Sequence, residues 1–348
     1  MTATGRLSES QVISSMSSSW WPRTFFRRMM RRHADHHIVG RLSRPCMAIG
    51  LVVGATALVG GGMVLERNGN NRRAALNTTV AKAYSSGPPS NQSFMKKMKF
   101  RTGVSMLPHP EKEHKGGEDA YFIHKGDYCI GVADGVGGWA EVGVDPGLYS
   151  RELMQHALDI LDGHDDGVHP GIPQRVLEGA HAKTKARGSC TACIVCLHEG
   201  KAHASNLGDS GFMIARNGVV HFISPQQQHE FNFPFQIGSP DSMSDPPSAA
   251  DSHAVDVEHG DILIAATDGL FDNVFPDEAA ALVALSKNKG EDPHKAAELL
   301  AKFARGRAAD PKYLSPFAYG AQQLGLRYLG GKMDDITVLV AYLEDDDE

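Results

Sequence analysis

Carboxylates recur in this sequence where apolar, β-prone runs begin or end. Glu118 and Asp119 lead into Ala120-Tyr121-Phe122-Ile123, and Cys129 to Ala133 delivers Asp134, followed by Gly135-Val136-Gly137-Gly138. Lys201 to Leu207 runs out into Gly208-Asp209-Ser210-Gly211, and Asp261 to Thr267 into Asp268-Gly269. Lys332-Met333-Asp334-Asp335 opens a last apolar run, Ile336 to Tyr342. One strand ending in Asp-Gly is an ordinary turn. Several such acids gathered at one end of a fold would repel one another unless a cation neutralised them. Hard oxygen donors without an organised set of His or Cys favour Mg2+ or Mn2+ over zinc. Two such ions, about 3.5–4 Å apart, can activate a water and stabilise phosphoryl oxygens. The chemistry these residues suit is hydrolysis of a phosphate ester at a carboxylate-bound divalent metal site.

The elements that must bring the acids together are legible in part. Asp145-Pro146 is a helix start, an N-cap followed by proline, with Leu153, Ala157, Ile160 and Leu161 as its apolar face. A second helix is expected over Ile172 to Lys185, and Asp292-Pro293 opens another with Ala296, Leu299, Leu300 and Phe303 at helical spacing. Gly188 to Leu197 reads as a strand, and Asn217-Gly218 joins Phe212–Arg216 to Val219–Ile223 as a hairpin. Ser224 to Ser252, rich in proline, serine and glutamine, is expected to form an irregular loop beside the site. The acidic tail from Glu344 to Glu348 is expected to be solvated. Strands arrive in runs and helices in pairs, which predicts an α+β fold, a sheet sandwich covered by helices.

The 348 residues, 41% hydrophobic and 22% charged, carry a formal net charge of -6. That charge is unevenly spread: residues 1–101 hold 16 Lys and Arg against three acids, and the remainder holds 19 against 38. A basic arm on an acidic body separates addressing from chemistry. The acidic body excludes nucleic acid as the substrate, because phosphate backbones need a basic surface. Residues 1–45, rich in Arg and Ser, have the composition of a mitochondrial presequence. Cys46 to Leu65 carries no charge and is long enough for one transmembrane anchor, although Gly50, Gly54 and Gly60 to Gly62 weaken it as a helix. Residues 66–100 read as a linker and 101–345 as the catalytic domain. Of the five cysteines, Cys190, Cys193 and Cys196 have a zinc-like spacing, but in a strand positions three apart face opposite ways. Buried, reduced cysteines in a reducing compartment are the expectation.

From Thr102 to Leu343 the chain resembles the metal-dependent Ser/Thr protein phosphatases, the PPM or protein phosphatase 2C family. It is most similar to the mitochondrial branch described as the T-cell activation phosphatase homologue. The motifs are Gly117-Glu118-Asp119-Ala120, Val132-Ala133-Asp134-Gly135-Val136-Gly137-Gly138-Trp139, Asn206-Leu207-Gly208-Asp209-Ser210-Gly211, Ala266-Thr267-Asp268-Gly269-Leu270-Phe271-Asp272 and Lys332-Met333-Asp334-Asp335-Ile336-Thr337. The resemblance implies an α-β-β-α sandwich with a binuclear Mn2+ or Mg2+ site and phosphoserine or phosphothreonine proteins as substrates. It also implies a monomeric catalytic domain. Asp134 would bridge the ions, Gly135 would offer its carbonyl oxygen, and Glu118 would complete one site. Asp268 and Asp334 would complete the other, with Asp119 behind them in the metal set. Asp209, with Asp272, matches the position of a weaker third ion. Asp134, Asp268 and Asp334 are thus the expected catalytic residues, with Asp334 preferred to Asp335 as ligand.

Two departures bear on mechanism. The family motif carries His, a candidate general acid, where this chain has Val136, and a phosphate-binding Arg upstream of the Glu-Asp pair where this chain has Glu113-His114-Lys115-Gly116-Gly117. Lys115 or His114 is the candidate replacement for the arginine. Two alternatives stand beside the phosphatase: a catalytically weak phosphoprotein-binding module, and a hydrolase of small phosphate esters.

Overall fold

Alternation of side chains along extended runs sets the layers of this protein, whose computed structural model describes residues 97–163 and 169–346. Strands β1 (Met98–Leu107), β2 (Asp119–Ile123) and β3 (Cys129–Asp134) come first, then helices α1 (Pro146–Asp162) and α2 (Ile172–Lys183). The middle of the chain is β4 (Ser189–Cys190), β5 (Ala192–His198), β6 (Lys201–Leu207), β7 (Gly211–Arg216) and β8 (Val219–Ile223). Short strands β9 (Gln228–Glu230), β10 (Phe233–Pro234) and β11 (Ile237–Gly238) precede β12 (Asp251–Asp256) and β13 (Ile262–Ala266). Helices α3 (Asp268–Phe271), α4 (Pro276–Asn288), α5 (Pro293–Ala308) and α6 (Pro316–Gln323) lead to β14 (Ile336–Asp345).

Two five-stranded antiparallel sheets result, ordered β1-β14-β13-β7-β8 and β12-β6-β5-β3-β2. Along β14, Val338, Val340 and Tyr342 face a core shared with α4 and α5, while Leu339, Ala341 and Leu343 face the other sheet. Along β5, Ile194 and Cys196 pack toward α1 and α2, while Cys193, Val195 and Leu197 enter the same inter-sheet layer. Three apolar layers therefore separate four layers of structure, and strands covered on both faces need continuous apolar runs. Each fully buried Val, Leu or Ile contributes roughly 1.5–3 kcal/mol. This is the expected α+β, α-β-β-α sandwich.

Local signals set several boundaries. Asp145 caps α1 by accepting from the Gly147 amide, Asp292 caps α5 by accepting from that of Lys295, and Pro146 and Pro293 follow them. Leu153, Ala157 and Leu161 are buried and Ile160 is half-buried, whereas Leu299 on α5 is turned outward. Asn217 and Gly218 both have positive φ, 53° and 78°, and make the tight β7–β8 turn.

Four expectations need correction. Cys129 and Cys196 are not reduced but joined by a disulfide. They lie directly opposite in the β3–β5 pairing, 4.1 Å apart at Cα, although 67 residues separate them in sequence. Cys190 and Cys193 are buried free thiols in different core layers, so no zinc set forms from the three spaced cysteines. The ordered body starts earlier than residue 101, because β1 opens at Met98 and pairs along its whole length with β14. The acidic tail is not simply solvated: Glu344 and Asp345 extend β14, Glu344 meets Arg101, and Asp346 meets Lys97 and Lys99. Finally, the segment from Ser224 to Ser252 contains β9 to β11 and the start of the edge strand β12.

The presequence-like residues 1–45, the candidate anchor 46–65 and most of the linker 66–100 lie outside the described residues. Among the described residues no helix is long and apolar enough to cross a membrane.

Candidate metal centre

The strand period that fills the inter-sheet layer also aims the acids. Ile130 and Val132 of β3 and Leu339 and Ala341 of β14 point between the sheets, so Asp134 and Thr337, two residues further along each alternation, do the same. Asp119 is paired directly with Asp134 across β2 and β3 and shares its face. Its Oδ2 accepts from the Thr267 hydroxyl at 2.9 Å and the Thr337 hydroxyl at 2.7 Å, bonds that cross from one sheet to the other. Its Oδ1 is buried without a hydrogen-bond partner, and burial, with Asp335 nearby, raises its pKa well above the ordinary carboxylate range.

Asp134 lies close enough to Asp268, which starts α3 immediately after β13, to feel its charge. Burial and the Asp268 charge push Asp134 far up. Burial also works to raise Asp268, but the Lys332 ammonium outweighs it and holds Asp268 low. The Oδ1 atom of Asp268 is likewise buried and unpartnered. Lys332 Nζ lies 2.5 Å from Asp268 Oδ2, 2.7 Å from Asp272 Oδ2 and 3.5 Å from Asp334 Oδ2. Burial would lower the lysine pKa, yet these charges raise it well above its usual value. Burial and Asp268 raise Asp334. Burial raises Asp272 to about 7 against the pull of Lys332. Asp209, after β6, is raised by burial and by Asp268, and its Oδ2 accepts from the Gln228 amide at 3.1 Å.

Glu118 and Asp335 form the other flank. Glu118 Oε2 accepts from Lys112 Nζ at 2.6 Å and Oε1 from Lys115 Nζ at 2.7 Å. Burial opposes charge on both lysines, but the surrounding carboxylates and the bonds to Glu118 raise their pKa values. Asp335 Oδ1 accepts from the His109 amide, and its Oδ2 accepts from the Glu118 amide and from Lys112 Nζ at 3.2 Å. Asp334 meets Lys332 Nζ at 3.5 Å and Lys112 Nζ at 3.9 Å. Arg305 of α5 donates to the carbonyls of Leu107, Pro108 and Asp334 and so ties the end of β1 to the Asp334 segment. His114 turns outward onto the Glu111 carbonyl, so of the two candidates for the missing arginine only Lys115 reaches a site acid.

The other expected residues sit as follows. Gly135 is required by close approach: a Cβ there would come within 2.7 Å of the Glu118 carbonyl oxygen. Val136 is half-buried and its amide donates to the Ser189 carbonyl. Among the described residues no histidine ring is hydrogen-bonded to a site carboxylate; His109 donates to Asp335 only through its backbone amide.

Asp119, Asp134, Asp268 and Asp334 are thus brought together, with Glu118 on one flank and Asp209 and Asp272 on the other. Among the described residues no three acids, histidines or cysteines already converge on one ion position, because lysine ammoniums stand between them. The donor set still fits hard divalent ions. It is all oxygen, burial and the Asp268 charge raise the pKa of Asp134, and two of its buried oxygens have no partner. Lys112, Lys332 and Arg305 were not among the expected site residues. The signal for Lys332 is its place at the head of the Lys332 to Thr337 motif, and for Lys112 its position just upstream of the Glu118-Asp119 pair.

No protein-family model matches the chain. It is 49% identical to "Probable protein phosphatase 2C 80" of Arabidopsis thaliana over 74% of its own length, and spans 61% of that protein. It is 43% identical to "Protein phosphatase PTC7 homolog" of Danio rerio, covering 65% of this chain and 80% of that one. Among solved structures, the photosystem II phosphatase PBCP matches with a TM-score of 0.62 and 35% identity, over 70% of this chain and 98% of that one. The chain belongs to the protein phosphatase 2C (PPM) family.

Proposed function

We propose that this protein is a Mn2+- or Mg2+-dependent protein serine/threonine phosphatase that hydrolyses phosphomonoesters. The observation that carries this reading is the gathering of Asp134, Asp268 and Asp334, with buried, unpartnered oxygens on Asp119 and Asp268. Asp134 would lie between two ions, with Asp268 and Asp334 on one and Glu118 and the Gly135 carbonyl on the other. Ions bound there supply Lewis-acid polarisation of the phosphoryl group and an acidified water. The protein's own part is positioning and charge. Asp119, fixed by Thr267 and Thr337 on the opposite sheet, keeps the two sheet ends at a set separation. Lys115 and Lys112, partly exposed and already holding acidic oxygens, are placed to meet phosphate oxygens in place of the family arginine. Val136 can neither give nor take a proton, so the leaving alcohol takes its proton from solvent or from a group outside the family's usual position.

Hydrolysis of a phosphoserine peptide by the full chain with added Mn2+, beside a set of small phosphate esters, tests the reading. Faster turnover of the peptide is expected; equal or faster turnover of the small esters would favour a metabolite hydrolase. The basic arm supports a mitochondrial address, with residues 46–65 as the anchor in the inner membrane. Import into isolated mitochondria followed by protease treatment tests it, and a chain left fully sensitive to the protease contradicts it.

A further inference from the structure

The cluster of Asp268, Asp272 and Asp334 already contains a cation supplied by the chain. Lys332 Nζ reaches Asp268 at 2.5 Å, Asp272 at 2.7 Å and Asp334 at 3.5 Å, and lies 5.1 Å from the centre of the Phe317 ring. This amine is not a surface lysine that has folded inward. Its backbone is clamped on both sides by one buried side chain: the Lys332 amide donates to Asn273 Oδ1 at 2.9 Å, and Asn273 Nδ2 donates to the Lys332 carbonyl at 2.8 Å. Asn273 is itself fully buried, and its Nδ2 also donates to the Gly269 carbonyl, next to Asp268. The lysine, the short helix that begins with Asp268 and the β14 approach are therefore held as one unit. On the far side, Asp209 Oδ2 accepts from the Gln228 side-chain amide at 3.1 Å.

We infer that Lys332 is a built-in third cation: its ammonium takes the seat between Asp268 and Asp272 that a third divalent ion would need, so the loaded protein holds two ions. An ammonium held by Asp268 and Asp272 and a divalent ion cannot share the Asp272 oxygens without strong repulsion, and the Asn273 clamp keeps the lysine backbone beside these acids. Asp209 and Asp272 then act as partners of a lysine and of a glutamine, and not as metal ligands. The inference rests on the metal-dependent reading of the site.

Calorimetric titration of the full chain with Mn2+ tests it without reference to activity. Wild type is expected to bind two ions, Lys332→Met to gain a third, and Lys332→Arg to stay at two. Asp272→Asn in the otherwise natural chain is expected to keep two ions with affinity changed less than threefold. This second variant serves even if Lys332→Met fails to fold without metal. Three ions in wild type, or loss of an ion in Asp272→Asn, would overturn the inference and leave the metal-dependent reading intact. No Mn2+ binding in wild type would instead overturn both.

Discussion

The inter-sheet layer changes character along its length. At one end Phe100, Val195, Leu339 and Leu343 fill it with hydrocarbon; at the other the same alternating positions carry Asp119, Asp134, Thr267 and Thr337. The backbone geometry is common to both ends, so the difference lies in what offsets desolvation. Apolar side chains gain from burial, whereas buried carboxylates lose unless hydroxyls, ammoniums or ions meet them. The compensation also differs between flanks of the acidic end. The Lys112 and Lys115 side chains are each 25% exposed, while that of Lys332 is 16% exposed and lies over Phe317, with its backbone held by Asn273. The outer pair is the one proposed to meet substrate, and the inner lysine the one proposed to serve the framework.

Substitutions at the two ends should separate these roles. Asp268→Ala removes a proposed ion ligand and is expected to lower phosphopeptide hydrolysis by about 10³-fold or more, a loss of several kcal/mol of transition-state stabilisation, measured at saturating Mn2+. Leu339→Ala, at the hydrocarbon end, is expected to cost about 2–5 kcal/mol of stability by denaturant unfolding while the folded fraction keeps its kcat. A matching loss of kcat would mean that the two ends are not independent. On the exposed flank, Lys115→Ala is expected to raise KM for a phosphopeptide roughly tenfold, with kcat less affected. An unchanged KM would remove Lys115 from substrate binding.

The smallest effect belongs to a group far from the acids. His124 is buried, accepts from the Gly126 amide, and burial lowers its pKa below the ordinary 6.5 despite Asp162. A histidine whose folded pKa is depressed contributes stability above about pH 6.5 that is lost as pH falls through the folded value. His181, His203 and His253 are lowered in the same direction, also chiefly by burial. The raised site carboxylates of the metal-free protein act in the opposite direction, so the His124 contribution is read as a difference: the melting-temperature gap between wild type and His124→Gln should narrow as pH falls from 7 to 5.5. A gap that does not change with pH would show that His124 titrates alike in the folded and unfolded states.

What was legible in the sequence follows the same physical divide. Strand-end acids at Asp134 and Asp268, the caps at Asp145 and Asp292 and the turn at Asn217-Gly218 are local signals, and the structure uses each of them. α4 also has a local start, Pro276 followed by Asp277 and Glu278. By contrast, β1 depends on pairing with β14 at the other end of the chain, and β12 is a polar edge strand defined by β6. The Cys129–Cys196 disulfide and the Lys332 seat depend on register and packing between distant segments. Nothing in the spacing of those residues encodes their meeting.

The central claim is that the acidic end works by holding divalent ions around Asp134. Its most direct test is phosphoserine-peptide hydrolysis by the full chain as Mn2+ is titrated, with Asp134→Asn alongside. The expected result is activity that rises with Mn2+, disappears on chelation, and stays near background in Asp134→Asn at every metal concentration. Metal-independent hydrolysis, or an Asp134→Asn variant as active as wild type, would contradict the account.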